Sequence, residues 1–187
     1  MTDNILNVYQ TATPAEVVKG MFWYSDANAF ASNLDPDSPV SAAAVIAALS
    51  PRLRWDKNLA YAVLAYNLKG YDITPDILSY IPTLNNSRKK ALAIVNGGDP
   101  FAILGKGPKT NAFFDNIANP FTSEKVTVDK HAFDIAMGER TGYSTVITNK
   151  SYVMIANAYR DAAFDLGVLP HQLQAITWES WRNGNRG

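Results

Sequence analysis

Residues Leu104 to Met137 read LGKGPKTNAFFDNIANPFTSEKVTVDKHAFDIAM, and the reading of this stretch decides what the rest of the chain is for. Gly105-Lys106-Gly107 is a tight turn between two helical segments. Glycine on both sides of one residue allows positive φ and close backbone approach, so successive N–H groups can point at one anion. Pro108 stands where a helix accepts proline, and the unpaired N–H groups of that helix's first turn aim at the same place. Lys109 lies inside that turn, where a cation faces the positive end of the helix dipole. The placement suits an amine that works as a nucleophile in its neutral form. It equally suits a phosphate-binding or plain surface lysine. Asp129, twenty residues on, opens the helical segment HAFDIAM and suits an N-cap. The same carboxylate, held at a helix start, can stabilise a developing positive charge or activate water or an amine. His131 is an auxiliary candidate.

Outward from this stretch the chain reads as helix nearly throughout. Thr13-Pro14-Ala15-Glu16 is a capping box that opens a helix to about Tyr24, with a second over Asp26–Leu34. Asp35-Pro36-Asp37-Ser38-Pro39 is turn chemistry. Val40–Leu49 (VSAAAVIAAL) is apolar on all sides, as the central helix of a small bundle would be. A basic, aromatic corner of Arg52, Arg54 and Trp55 follows. Further helices are expected over Asp56–Leu68, from Thr74, over Ser87–Val95 behind Asn85 and Asn86, and as a single turn after Asp99. Two more follow at Ser151–Leu166 and Pro170–Trp181, with a frayed tail at Asn183–Gly187. Val126–Val128 and Tyr143–Thr148 are β-branched but too short for a sheet. The expectation is an all-α protein of nine or ten short helices, forming one domain over residues 1–187.

The composition is that of a globular chain: 187 residues, 47% hydrophobic and 11% aromatic. The absence of cysteine excludes disulfides, thiolate zinc sites and iron–sulfur clusters. No metal or cofactor is expected. No apolar run approaches the roughly 20 residues of a membrane span, and the N-terminus lacks a signal peptide's form. A soluble, cytoplasmic protein is expected, in the host cytoplasm if phage-encoded. Lys and Arg number 17, as do Asp and Glu, so net charge is zero and a broad nucleic-acid footprint is disfavoured. A local one remains open, because basic residues gather at Arg52/Arg54/Lys57, Arg88/Lys89/Lys90, Lys106/Lys109 and Arg182/Arg186.

LGKGPKT followed by VTVDKHAFDIA resembles the helix-hairpin-helix DNA glycosylases of the endonuclease III type. There a hairpin of the form L-P-G-V-G-x-K-T-A precedes V-D-T-H by about twenty residues. Upstream, AAVIAALSPRLRWDKN resembles that superfamily's buried helix and L-S-x-Q turn, and NNSRKKALAIV its asparagine–serine–lysine helix entry. The resemblance covers about 42–137, half of the chain. It places Lys109 on the Schiff-base lysine and Asp129 on the catalytic aspartate. Gly105 and Gly107 fall on the phosphate-binding hairpin glycines, and Arg52 on a residue that fills the gap left by a flipped base. Lys106, Thr110, Trp55, Ser87 and Arg88 complete the expected DNA contacts. Three departures stand out: Lys106 replaces an apolar residue, no proline follows Leu104, and Asp134 stands where arginine is common.

The resemblance implies a DNA-acting enzyme that flips a nucleotide of duplex DNA into a pocket: an N-glycosylase, with AP-lyase activity through Lys109. The alternative is a phage-type transferase that attaches an amino acid or amine to an activated hydroxymethyl-pyrimidine in DNA. A third reading is a non-enzymatic DNA-binding module. Trp23, Tyr24, Trp55, Trp178 and Trp181 are the aromatic candidates for recognising the base.

Overall fold

The computed structural model describes residues 1–142 and 144–184. Its helices are α1 (Thr2–Gln10), α2 (Pro14–Leu34), α3 (Pro39–Leu49), α4 (Trp55–Asn67), α5 (Pro75–Ser79), α6 (Asn85–Val95), α7 (Pro100–Leu104), α8 (Pro108–Ala118), α9 (Lys130–Met137), α10 (Asn149–Leu166) and α11 (Pro170–Asn183). Among the described residues there is no strand, so the protein is all-α. The β-branched run starting at Tyr143 and the tail with Arg186 fall partly outside the described residues. The chain divides into two compact units. One comprises Met1–Asp26 with the chain from Asn119 onward, the other Ala27–Ala118.

In the unit Ala27–Ala118 the hub is α3. Every residue from Ala42 to Leu49 is buried, and α4, α6, α7 and α8 pack around it. A helix without a polar face can exist in water only if neighbours cover it on all sides, and these four do so. Buried amides tie the layers together. Asn58 Nδ2 donates to Ile46 O at 3.1 Å, and Asn28 Nδ2 donates to Ile117 O, near the C-terminal end of α8, at 2.9 Å.

In the other unit α1, α9, α10 and α11 share one core, with Ile5, Val126, Val128, Ile135, Ile155, Tyr159 and Leu173 all buried. Gly20 of α2 is the point of closest approach to α11. A Cβ there would lie 2.4 Å from Ile176 Cα, so only glycine lets the two backbones meet. Asn4 of α1 donates to Ala136 O at 3.0 Å and lies against Gly138, the left-handed cap of α9.

Two elements differ from the sequence reading. The two helices expected before and after Ser25 are one helix of 21 residues. Ser25 does not cap a new helix; its hydroxyl donates back to Phe22 O at 2.8 Å, a bond a serine can make without breaking the helix. α1 was not expected at all.

Candidate nucleic-acid site

The turn at Gly105 is built from three sides. Asp99 caps α7, its carboxylate accepting from the Phe101 and Ala102 N–H groups. Gly105 ends α7 at φ 76, which a side chain would strain. Gly107, in contrast, does not take positive φ, so only one of the two glycines is needed for conformation. The carbonyls of Leu104, Gly105 and Gly107 are claimed from within. Lys90 Nζ donates to Leu104 O at 2.8 Å, and Asn111 Nδ2 donates to Gly105 O at 2.6 Å and Gly107 O at 2.9 Å.

The N–H groups are left over. The first N–H of α8 with a backbone acceptor is that of Asn111, on Gly107 O. Those of Gly105, Lys106, Gly107, Lys109 and Thr110 donate to no acceptor among the described residues. Lys106, Gly107 and Lys109 are exposed, and a Cβ at Gly105 or Gly107 would meet nothing within 4 Å. Tied carbonyls, N–H groups without an acceptor among the described residues and two exposed lysines together suit an anion approaching from solvent.

The same unit places the basic corner beside this helix. Trp55, at the first position of α4, lies edge-on to Phe113 at 6.5 Å between ring centroids. Phe113 is one turn from Lys109 on α8, so the ring that Trp55 meets shares a face of that helix with Lys109. Arg52 is exposed and takes φ 58 in the turn closed by the Leu53 N–H on Ser50 O. Arg54 pairs with Asp56 on the surface. Two other expected contacts point inward. Ser87 is buried, and the Arg88 guanidinium donates to Leu78 O at 2.9 Å, bracing the turn before α6.

Asp129 belongs to the other unit. It caps α9, Oδ1 accepting from the Ala132 N–H at 2.8 Å. The preceding residues are wound tightly, with Val128 N on Val126 O and Asp129 N on Thr127 O. The Tyr152 hydroxyl donates to Val126 O at 2.7 Å, and the Tyr24 hydroxyl bridges Thr127 Oγ1 and Gln174 Oε1. Burial pushes the Tyr152 and Tyr159 phenols up, and the Asp129 charge adds to this.

His131 lies edge-on to Trp178 at 6.2 Å, its buried Nδ1 without a hydrogen-bond partner among the described residues. Arg182 covers the Trp178 ring at 4.2 Å and Arg140 the Trp181 ring at 5.2 Å, so both indoles pack against cations. Asp134 turns inward. Its Oδ1 accepts from Lys130 Nζ, from the Thr141 N–H and from the Thr141 hydroxyl. Burial works to raise this carboxyl, but those hydrogen bonds and the Lys130 charge outweigh it and hold it below the ordinary aspartate value.

The structure thus gathers Gly105, Lys106, Gly107, Lys109, Thr110, Arg52 and Trp55 in one unit and Asp129 and His131 in the other. Among the described residues no cluster of side chains suits a metal ion, and no helix is long and apolar enough to cross a membrane. Sequence reading missed Asn111 and Phe113, whose roles depend on helix geometry. It also missed an open groove of about 610 Å³ lined by Val8, Thr11, Glu16, Arg140, Trp181 and Asn183. These come from three distant segments, and no local pattern joins them.

No curated protein and no solved structure matches the chain. A family model does match, over residues 1–185, and by it the chain belongs to DUF7178, a family of unknown function.

Proposed function

We propose that the protein binds duplex DNA through the Gly105–Thr110 turn and acts on one nucleotide rotated out of the helix, as an N-glycosylase with lyase activity. The observation that carries this is the row of unpaired N–H groups at Gly105, Lys106, Gly107, Lys109 and Thr110, flanked by two exposed lysine side chains. It fits one backbone phosphate. Arg52 and Trp55 supply a cation and a ring for the gap left by the flipped base.

Lys109 is the nucleophile in this reading. Its amine attacks C1′, the glycosidic C–N bond breaks, and the base leaves; the resulting amine adduct opens to an imine that water or β-elimination resolves. Asp129 is the carboxylate that stabilises positive charge developing on the sugar. The assignment of both roles rests on the resemblance together with their positions, one exposed in a helix's first turn and one fixed at a helix start.

Borohydride trapping on duplexes containing abasic sites and a panel of damaged bases tests this. A covalent adduct that Lys109→Ala abolishes is expected; no adduct and no strand cleavage on any substrate would remove the enzymatic reading. Attachment of an amino acid or amine to an activated hydroxymethyl-pyrimidine in DNA would leave the glycosidic bond intact, and mass spectrometry of the digested nucleosides distinguishes it by the added mass. Binding retained in a Lys109→Ala, Asp129→Ala double variant with neither product would mark a DNA-binding module.

A further inference from the structure

The outer face of α10 differs from a plain solvated helix surface. Phe164 is 86% exposed, the most exposed large apolar side chain among the described residues, and Val153 and Met154 are 56% and 48% exposed. Lys150, Val153, Asn157, Asp161 and Phe164 recur at three- and four-residue spacing and are all exposed, so they line one face, with Met154 and Asp165 beside them. The opposite face, with Ile155, Tyr159 and Ala162, packs in the core.

The charges on this face oppose the helix's own dipole. Lys150 lies in the first turn, at the positive end, where no acidic residue stands. Asp161 and Asp165 lie toward the negative end, and the last turn holds no basic residue. None of the three has an ion-pair partner among the described residues. In a lone helix both placements are mildly unfavourable. Against a second helix running the other way both become favourable, because each charged end then meets a helix end of opposite sign.

We propose that α10 is the contact helix of a homodimer, two copies packing antiparallel about a two-fold axis near Asn157. In that register, to within a turn, Lys150 meets the second copy's Asp165, while Val153 and Met154 meet its Phe164. Each contact occurs twice, as a two-fold interface requires. A parallel pair would instead set Lys150 beside Lys150 and the two aspartates beside their equivalents, like charge on like. The occupant is a second copy because the face complements itself: apolar and basic groups at its start match apolar and acidic groups at its end. One face of an 18-residue helix, about 27 Å long, buries less than the roughly 800 Å² per partner of a standard interface. The dimer is therefore weak and concentration-dependent. The inference does not rest on the DNA reading, and all of its residues lie in one compact unit.

Sedimentation equilibrium of the full chain from about 10 µM to 1 mM tests this, with a Kd on the order of 100 µM expected. Phe164→Asp, at a surface position, should weaken association by about tenfold or more. Lys150→Asp and Asp165→Lys should each weaken it by about threefold to tenfold, and the two together should restore it. Both single swaps suit the helix dipole and should not lower the melting temperature, which separates weakened association from unfolding. A chain that stays monomeric at the highest concentration would overturn the proposal, as would a dimer that Phe164→Asp leaves unchanged. A double variant that associates no better than the single ones would overturn the antiparallel pairing.

Discussion

At Arg52, folding and the proposed DNA contact make opposite demands on one residue. It occupies left-handed backbone space at φ 58, after Pro51, in a turn position that usually belongs to glycine. A non-glycine residue there costs about 1 kcal/mol. Arg52→Gly should therefore raise stability slightly, by up to about 1 kcal/mol in denaturant titration, while weakening duplex binding. A variant that is both more stable and equally tight would show that the arginine has no part in DNA contact. Asp134 makes a different prediction. Its carboxyl is held below the ordinary value, so its contribution is complete above that value and is lost as pH falls through the lowered one. Asp134→Asn should cost about 2 kcal/mol at neutral pH, because Lys130 and Thr141 lose a charged acceptor. Its acid unfolding limb should be shallower than wild type, and identical limbs would mean that other carboxylates govern acid denaturation. Residue-scale features were unevenly legible. The cap at Asp129 was readable from its position before an apolar helix. The inward turn of Asp134 was not, because Thr141 is seven residues away and reaches it only after α9 ends at Gly138.

At the scale of elements, Gly20 carries the sharpest consequence. In the interior of α2, alanine would be the better helix former by about 1 kcal/mol. Here the added methyl meets the Ile176 backbone at 2.4–2.5 Å, and backbone cannot turn aside as a side chain can. Gly20→Ala should lower stability by about 2–3 kcal/mol net, in the range of overpacked cores. An unchanged or raised melting temperature would mean that α2 and α11 are not in such close approach. Propensity alone points the wrong way at this site, because the constraint comes from a residue 156 positions on. Elements with local causes were legible: α3 from its unbroken apolar run, and the start of α2 from Thr13 and Glu16, which exchange hydrogen bonds as a capping box does. α1 was missed although Ile5, Val8 and Tyr9 fall at helical spacing, since its N-cap is Met1, without a capping side chain. The break expected at Ser25 failed because serine can serve as well inside a helix as before one.

For the whole molecule, zero net charge and a DNA partner are compatible only if the positive groups that matter are few and local. The anion-facing turn meets that condition with Lys106 and Lys109, whereas Arg54 is neutralised by Asp56 and Arg88 is engaged with Leu78 O. Each phosphate neutralised contributes roughly 0.9 to the slope of log affinity against log salt. The wild-type slope should therefore be shallow, near 2 to 3, well below that of a protein with a broad basic face. Lys106→Ala should lower it by about one, whereas Lys109→Ala, whose amine reacts at C1′ in the proposed reading, should leave it nearly unchanged. Their chemistry should then part: Lys106→Ala, which in the proposed reading removes only a phosphate contact, should still be trapped by borohydride on an abasic duplex, and Lys109→Ala should not. Equal trapping in both variants would place the nucleophile elsewhere while leaving the phosphate grip intact. A slope of zero in the wild type would remove the grip itself, and with it the reason to connect the Gly105–Thr110 turn to DNA.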